Sequence, residues 1–99
     1  MTHFNVTNVV DGDTFDVNPE WEWKGNQGQR IRPKGFNTPE RWEAGYSQAK
    51  KKLKELIHHK NVELKNAVKI DRGRLVCDVF LNGRNLANYF PKYKLSKSF

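Results

Sequence analysis

Three short segments of this sequence carry the side chains that phosphate chemistry would need. The first, residues 11–14, reads Asp-Gly-Asp-Thr and places two carboxylates around a glycine. Carboxylate oxygens are hard ligands that suit calcium or magnesium, although a solvated turn would account for the same pattern. An EF-hand loop is excluded, because Phe15 stands at a ligand position and Asp16 stands where the loop needs glycine.

The other two segments add guanidinium, amide and further carboxylate groups. The segment from Arg32 to Glu40 contains an amide side chain at Asn37, and the segment 71–74 reads Asp-Arg-Gly-Arg and ends on Arg74. Phosphoryl chemistry uses a cation on the phosphate, arginine forks on its oxygens and a carboxylate that takes a proton from water. Each arginine alone would more often be a surface charge, so only the three segments together indicate phosphoryl chemistry.

The hydrophobic pattern predicts the elements that must position these segments. Alternating apolar residues predict strands over 4–10, 14–17, 30–36, 62–68 and 75–81. Apolar residues spaced i, i+4, i+7 and i+8 predict a helix over 46–58, and a short second helix is predicted over 83–89. We expect residues 18–29 to form a strand end and a long loop. Trp21 and Trp23 would share one face there and either stack bases or cover the barrel.

The order strand, strand, strand, helix, strand, strand is that of an OB-fold. We therefore predict a mainly β, α+β architecture, a five-stranded OB-fold β-barrel with one long and one short helix. Ninety-nine residues are enough for one domain with one core and too few for two. The predicted domain spans 1–99, with a frayed tail over 92–99.

The composition restricts the partners. Eighteen Lys and Arg against 11 Asp and Glu leave a net charge of +7, which favours nucleic acid first and an anionic membrane second. Many small domains are basic for solubility alone, so the charge does not decide the matter. Cys77 is the single cysteine, which excludes an intrachain disulfide, and its apolar surroundings predict a buried thiol. No apolar run approaches the ~20 residues that span a bilayer.

The N-terminus, Met-Thr-His-Phe-Asn-Val, lacks the character of a signal peptide. This predicts a cytoplasmic protein for the chain as it stands, and a secreted one if an N-terminal segment has been removed. We predict a monomer whose partner is DNA and/or RNA, with neither a membrane nor a protein partner.

The three segments together resemble the staphylococcal nuclease (thermonuclease) family. The resemblance consists of V-x-D-G-D-T, then R-x-x-G-F-N-T-P-E, a lysine-rich helix, and D-x-G-R before an apolar strand. It extends over roughly residues 9–86, nearly the whole chain. It implies the family's OB-fold barrel and a calcium-dependent nuclease that leaves 3′-phosphorylated fragments of DNA and RNA.

The resemblance also implies a calcium site. Asp13 matches the first ligating carboxylate, and Thr38 falls where the family offers a backbone carbonyl. Asn37 stands where the family usually has a second ligating Asp. The amide removes one negative charge, so we expect a single, weakly bound calcium ion. Asp11 is expected to support the turn from a second layer.

The implied catalytic residues are Arg32, Glu40 and Arg74. The two arginines would stabilise charge on the phosphate oxygens, while Glu40 would act as general base or orient a water for in-line attack. Arg72 stands where the family commonly has a Tyr, which makes the aim of Arg74 less certain. The nucleic acid backbone would be attracted by Arg72 and by the helix lysines Lys50, Lys51 and Lys54.

Three functions are therefore open at the level of sequence. The first is a calcium-dependent nuclease of low sequence specificity, and the second is a catalytically weakened or inactive OB module that binds single-stranded nucleic acid. The third is a protein-interaction module of the inactive nuclease-like kind. Retention of Glu40 and both arginines favours the first, whereas Asn37 leaves the second open.

Overall fold

The computed structural model describes residues 3–93. Within this range the chain forms six strands, one α-helix and two 3₁₀ turns. In chain order these are β1 (His3–Asp11), β2 (Thr14–Trp23), β3 (Asn26–Pro33), α1 (Tyr46–Ile57), β4 (Asn61–Asp71), β5 (Arg74–Leu81), β6 (Arg84–Asn85) and the 3₁₀ turns Leu86–Tyr89 and Pro91–Tyr93.

The strands close into a mixed barrel. Neighbouring strands follow the order β3-β2-β1-β4-β5-β6, and all of these pairs are antiparallel. A parallel pairing of β3 with β5, from Ile31↔Leu75 to Pro33↔Cys77, joins the sheet to itself and closes five strands into a barrel. The two-residue β6 only extends the far side of β5. This is the predicted OB-like barrel with a helix between the third and fourth strands.

The core follows from the predicted periodicities. Inward positions of the strands are buried, among them Val6, Val17 and Val79. The apolar stripe of α1 is buried at Ala49, Leu53 and Ile57, and the helix packs against β1. Full burial of a side chain such as Leu or Ile stabilises a domain by about 1.5–3 kcal/mol. The rest of the hydrophobic core consists mainly of aromatic and aliphatic side chains, which include Phe15, Phe36, Val62, Leu86 and Phe90.

The long loop predicted over 18–29 is wrong. β2 continues to Trp23, and a two-residue turn at Lys24 and Gly25, both at positive φ, leads directly into β3. Such left-handed turns suit the twist of a hairpin. Pro19 concealed the strand in the sequence, because proline lacks the amide that a ladder needs. The register shift between Asp16 and Trp21 accommodates it as an irregularity in the ladder.

Other boundaries also differ from the prediction, and the strand predicted over 62–68 spans Asn61–Asp71. The third strand ends at Pro33, and the segment 83–89 forms β6 and a 3₁₀ turn, with Asn85 Oδ1 accepting a hydrogen bond from Ala87 N. Of the tail predicted to fray, Lys92 and Tyr93 belong to a 3₁₀ turn, and residues 94–99 lie outside the described residues. No helix within residues 3–93 is both long enough and apolar enough to cross a membrane.

Candidate active site

The strand register brings the three chemical segments together. Ile31 of β3 pairs with Phe15 of β2 on one side and with Leu75 of β5 on the other. Arg32 follows Ile31 on β3, and Arg74 precedes Leu75 on β5. The two arginines therefore lie on adjacent strands, each next to the paired residues. The β1–β2 turn ends just before Phe15, so it meets them at the same end of the barrel.

Gly12 lets the β1–β2 turn pack closely against the loop after β3. The residue is buried, and a Cβ atom built on it would lie 2.7 Å from Thr38 Oγ1 and 2.8 Å from Ala49 Cβ. A side chain would therefore push the turn away from both the loop and α1. The close approach allows Thr38 N to donate to Asp13 Oδ2 at 3.2 Å.

Arg32 lies at the centre of the site and is 4% exposed. Its Nη1 donates to the carbonyl oxygens of Phe36, at 3.0 Å, and Pro33. Its Nη2 donates to Asn37 Oδ1 and lies 3.6 Å from Asp13 Oδ2. The guanidinium is thus fixed from several sides by oxygen atoms, as a preorganised anion-binding group must be.

The electrostatic environment of Arg32 combines burial with nearby charges of both signs. Burial lowers the pKa of Arg32, the carboxylate of Asp13 opposes this, and the positive charge of Arg74 lowers the pKa further. The negative charges of Glu40 and Asp71 raise the pKa of Arg32, as that of Asp13 does. An arginine stays protonated in proteins, so two mutually repelling cations are held close to one another. A bound anion would relieve that repulsion.

Arg74 is oriented by two partners that the sequence analysis did not consider. Its Nη2 donates to Asp71 Oδ2 at 2.8 Å and its Nη1 to the buried Thr14 Oγ1 at 3.2 Å. The hydrogen bond from Arg74 lowers the pKa of Asp71. These contacts fix the orientation of the Arg74 guanidinium. Arg72 is exposed and lies in the intervening turn at φ 54°.

The oxygen donors near Asp13 fit a calcium ion only as a weak site. Within residues 3–93, no group of three His, Cys, Asp or Glu side chains is placed to hold a metal. The chain offers the Asp13 carboxylate, the Asn37 amide oxygen and the backbone of Thr38, whose buried hydroxyl has no hydrogen-bond partner among the described residues. Calcium takes six to eight oxygens, so water and substrate phosphate would have to complete the shell.

Glu40 is exposed at the start of the loop after Thr38. Its backbone is fixed, because its amide donates to Glu43 Oε1 at 2.7 Å and its carbonyl accepts from Glu43 N at 2.8 Å. The charge of Glu40 raises the pKa of Arg32, so the carboxylate acts within the field of the site. An exposed carboxylate near a buried cation can contact a water molecule that lies beside an anion bound to that cation.

Asp11 lies beside the site and supports it from outside. Its Oδ1 accepts a hydrogen bond of 2.6 Å from the Tyr46 hydroxyl, which raises the pKa of Tyr46. The contact ties the β1–β2 turn to the first residue of α1.

Lys50, Lys51 and Lys54 lie further along the same helix. Lys51 and Lys54 are exposed and Lys50 is half-buried.

A cleft of about 440 Å³ lies in another region of the barrel. Trp21 lines it and is 3% exposed, and its Nε1 donates to the Arg30 carbonyl at 2.9 Å. A Cβ atom on Gly28 would lie 2.9 Å from the Trp21 ring, so glycine lets the indole lie on β3. Trp21 therefore covers the barrel, and the alternative that it stacks bases is disfavoured. The cleft is also lined by Phe4, Pro19, Trp23, Leu64, Ala67, Leu75 and Cys77.

Thr14 and Asp71, the partners of Arg74, and the exposed Trp42 were not predicted from the sequence. Asp71 stands three residues before Arg74 across a two-residue turn, a spacing that could have revealed the pair. Trp42 is 83% exposed and two residues after Glu40. Its signal in the sequence is an aromatic residue in a charged segment that follows no apolar period.

No protein-family model matches the chain, and no curated protein matches it. The resemblance to the staphylococcal nuclease family therefore stays a prediction. The closed OB-like barrel and the convergent charged site are what the structure contributes to the assignment of function.

Proposed function

We propose that this chain is a staphylococcal-nuclease-like phosphodiesterase that uses calcium to hydrolyse DNA and/or RNA with low sequence specificity. The observation that carries the proposal is the convergence of Arg32 and Arg74 at one end of the barrel. Both guanidinium groups are held by hydrogen bonds, and Arg32 lies in the field of the Asp13 and Glu40 carboxylates and of the Arg74 cation.

The two arginines would bind the phosphate. Charge builds on the phosphate oxygens as water attacks, and donors that are already oriented stabilise that charge without reorganising. Arg32 is oriented by backbone carbonyls and Arg74 by Asp71 and Thr14. A net charge of +7 would draw the polyanion toward the chain.

Glu40 would activate the water. Its carboxylate is exposed to solvent, and its backbone is fixed by the hydrogen bonds with Glu43. The water oxygen attacks phosphorus, its proton passes to Glu40, and the bond to the leaving ribose oxygen breaks as that oxygen takes a proton from solvent. Calcium bound near Asp13, Asn37 and Thr38 would neutralise charge on the phosphate.

The composition of the site supports low sequence specificity. Arginine contacts to phosphate position a nucleic acid but carry no information about its bases. The substrate would therefore be recognised mainly by its backbone, in DNA and RNA alike.

A nucleic-acid-binding OB module without catalysis is the second candidate, and one observation favours it. The oxygens of Asp13 and Asn37, which calcium would need, both face the Arg32 guanidinium. A metal ion would have to compete with that cation for its ligands. A protein in which the Arg32 guanidinium keeps these oxygens and excludes calcium would still bind phosphate but would not cleave it.

Digestion of fluorescent single-stranded DNA and RNA, with calcium titrated or chelated, separates these candidates. We expect calcium-dependent cleavage that Glu40→Gln and Arg74→Ala abolish. The matched controls Glu55→Gln and Arg84→Ala remove exposed groups of the same kind and should retain activity. Arg32 is less suitable, because its substitution would leave a cavity and remove the ion pair of the half-buried Asp13, which could destabilise the fold.

Two outcomes would contradict the nuclease. Binding without cleavage at any calcium concentration would identify the binding module. Cleavage that persists in both Glu40→Gln and Arg74→Ala would come from a contaminant or from other residues, and the site assignment would then be wrong.

A further inference from the structure

Trp42 is the most exposed large hydrophobic side chain in residues 3–93. It is 83% exposed, and Val68, at 44%, is the other described residue of this kind. Large aromatic side chains normally bury most of their surface. Tryptophan therefore gains nothing for the fold at this position, and a role in binding would account for it.

The loop displays Trp42 in a fixed turn. Glu40 and Glu43 bond to one another twice, through Glu40 N to Glu43 Oε1 at 2.7 Å and through Glu43 N to Glu40 O at 2.8 Å. Arg41 and Trp42 occupy the two positions between them, and both are exposed. A side chain presented on a closed turn loses less freedom on binding than one on an open loop.

Both ends of this loop are tied to the candidate active site. At one end, Thr38 N donates to Asp13 Oδ2 at 3.2 Å. At the other, the Tyr46 hydroxyl donates to Asp11 Oδ1 at 2.6 Å. The two carboxylates belong to the same β1–β2 turn, so the loop that carries Trp42 starts and finishes beside that turn.

We propose that Trp42 stacks on a nucleobase next to the phosphate held by Arg32 and Arg74. The proposal rests on the proposed function, since it assumes a nucleic acid substrate. It adds a preference for single strands, because a base can lie on the indole only when it is not stacked and paired within a duplex. Arg41 adds a positive charge beside the same position.

The surroundings of Trp42 favour a base over an apolar partner. Its neighbours in the turn are the charged residues Glu40, Arg41 and Glu43, so the ring is an isolated apolar surface. Protein interfaces and membrane contacts use apolar patches of a few hundred Å². One aromatic ring is enough to stack one base, and every base offers a face to it.

Binding measured in the presence of a chelator tests the proposal without turnover. Fluorescence anisotropy would compare labelled oligothymidylate, the same strand with abasic sites, and a duplex of equal length. We expect Trp42→Ala to weaken binding of oligothymidylate by roughly 10-fold, and Trp42→Phe to bind close to wild type. The abasic strand should bind Trp42→Ala and wild type equally.

Val68→Ala is the matched control, since it also removes an exposed apolar side chain, and it should bind as wild type does. Equal binding of oligothymidylate by Trp42→Ala and wild type would overturn the stacking role. An equal loss on the abasic strand would overturn it too, because the contact would then be to the backbone. Weakened binding in a protein that does not cleave would retain the stacking role and remove the nuclease. Absence of any binding by wild type would overturn both.

Discussion

Where β1 passes into β2 the barrel gathers charged side chains, whereas the far ends of the same two strands bury aromatic ones. Arg32 is buried at the first region with Asp13 beside it. Phe4 and Trp21 line the cleft at the second. The two regions share strands and a similar degree of burial, and they differ in what burial requires of each side chain.

Burial acts on ionisable groups in both regions but has different consequences. Cys77, in the lining of the cleft, has its pKa raised to about 12 by burial, so its thiol simply stays neutral. Burial lowers the pKa of Arg32, yet a guanidinium stays charged and needs oxygen partners instead. The neutral side chains buried beside the cleft therefore need no charged partners. The candidate active site holds a charge that a stable core would not include, and such departures from an apolar core are typical of functional sites.

The largest expected effect is on stability, at the cleft. Trp21→Ala should lower the free energy of unfolding by about 3–5 kcal/mol, because it removes a buried indole and its hydrogen bond to the Arg30 carbonyl. Urea denaturation measures the change. Trp42→Ala, which removes an exposed indole, is the control and should unfold at nearly the wild-type midpoint. Equal losses in the two variants would contradict the assigned difference in burial.

The next effect is on activity, at the active-site region. Arg74→Ala should reduce the rate of cleavage on the order of 10²–10³-fold, as loss of one oriented donor commonly does. Stability should change little, because the ion pair with Asp71 is partly exposed. Single-turnover kinetics and urea denaturation on the same preparation separate the two quantities. A rate unchanged from wild type would remove Arg74 from the mechanism.

A pair of glycine substitutions contrasts the regions directly. Gly12→Ala and Gly28→Ala each place a methyl group within 3 Å of another atom, and overpacking of this kind costs about 1–3 kcal/mol. Only Gly12→Ala should also reduce the activity of the folded fraction, because it displaces Thr38 from Asp13. Activity measured well below the unfolding midpoint tests this. Equal activity losses would mean that the two regions are not independent.

The smallest effect concerns the metal. Asn37→Asp introduces a carboxylate and should tighten calcium binding about tenfold, since ligand charge tunes calcium affinity. Isothermal titration with calcium measures this, and Asn88→Asp, an exposed change of the same kind, is the control. If Asn37→Asp leaves calcium affinity unchanged, the metal site has been placed wrongly.

The barrel was predictable wherever the apolar period was unbroken. The strand over 75–81 and the helix over 46–58 depend on periodicity, and both lie within about one residue of the observed elements. The β2–β3 hairpin was not predictable by that means. Pro19 breaks the donor pattern, and Gly28 looks like a loop residue until the Trp21 ring is seen to lie over it.

The residue types of the candidate site could be selected from the sequence, but their contacts could not. The motifs indicated Arg32, Glu40 and Arg74, and the barrel register then explains why the arginines approach each other. The carbonyl oxygens that hold Arg32 belong to a loop whose path no periodicity encodes. The exposure of Trp42 follows from the closed turn between Glu40 and Glu43, which is a tertiary feature.

The parallel pairing of β3 with β5 has a consequence for when the site can exist. It joins residues 31–33 to residues 75–77, which are far apart in the chain, and a fold that depends on such distant contacts folds slowly. Arg32 and Arg74 are neighbours only through that pairing. A nascent chain that has not yet been extended through Cys77 therefore lacks the strand that brings the two guanidinium groups together, and assembly of the site and completion of the barrel are the same event.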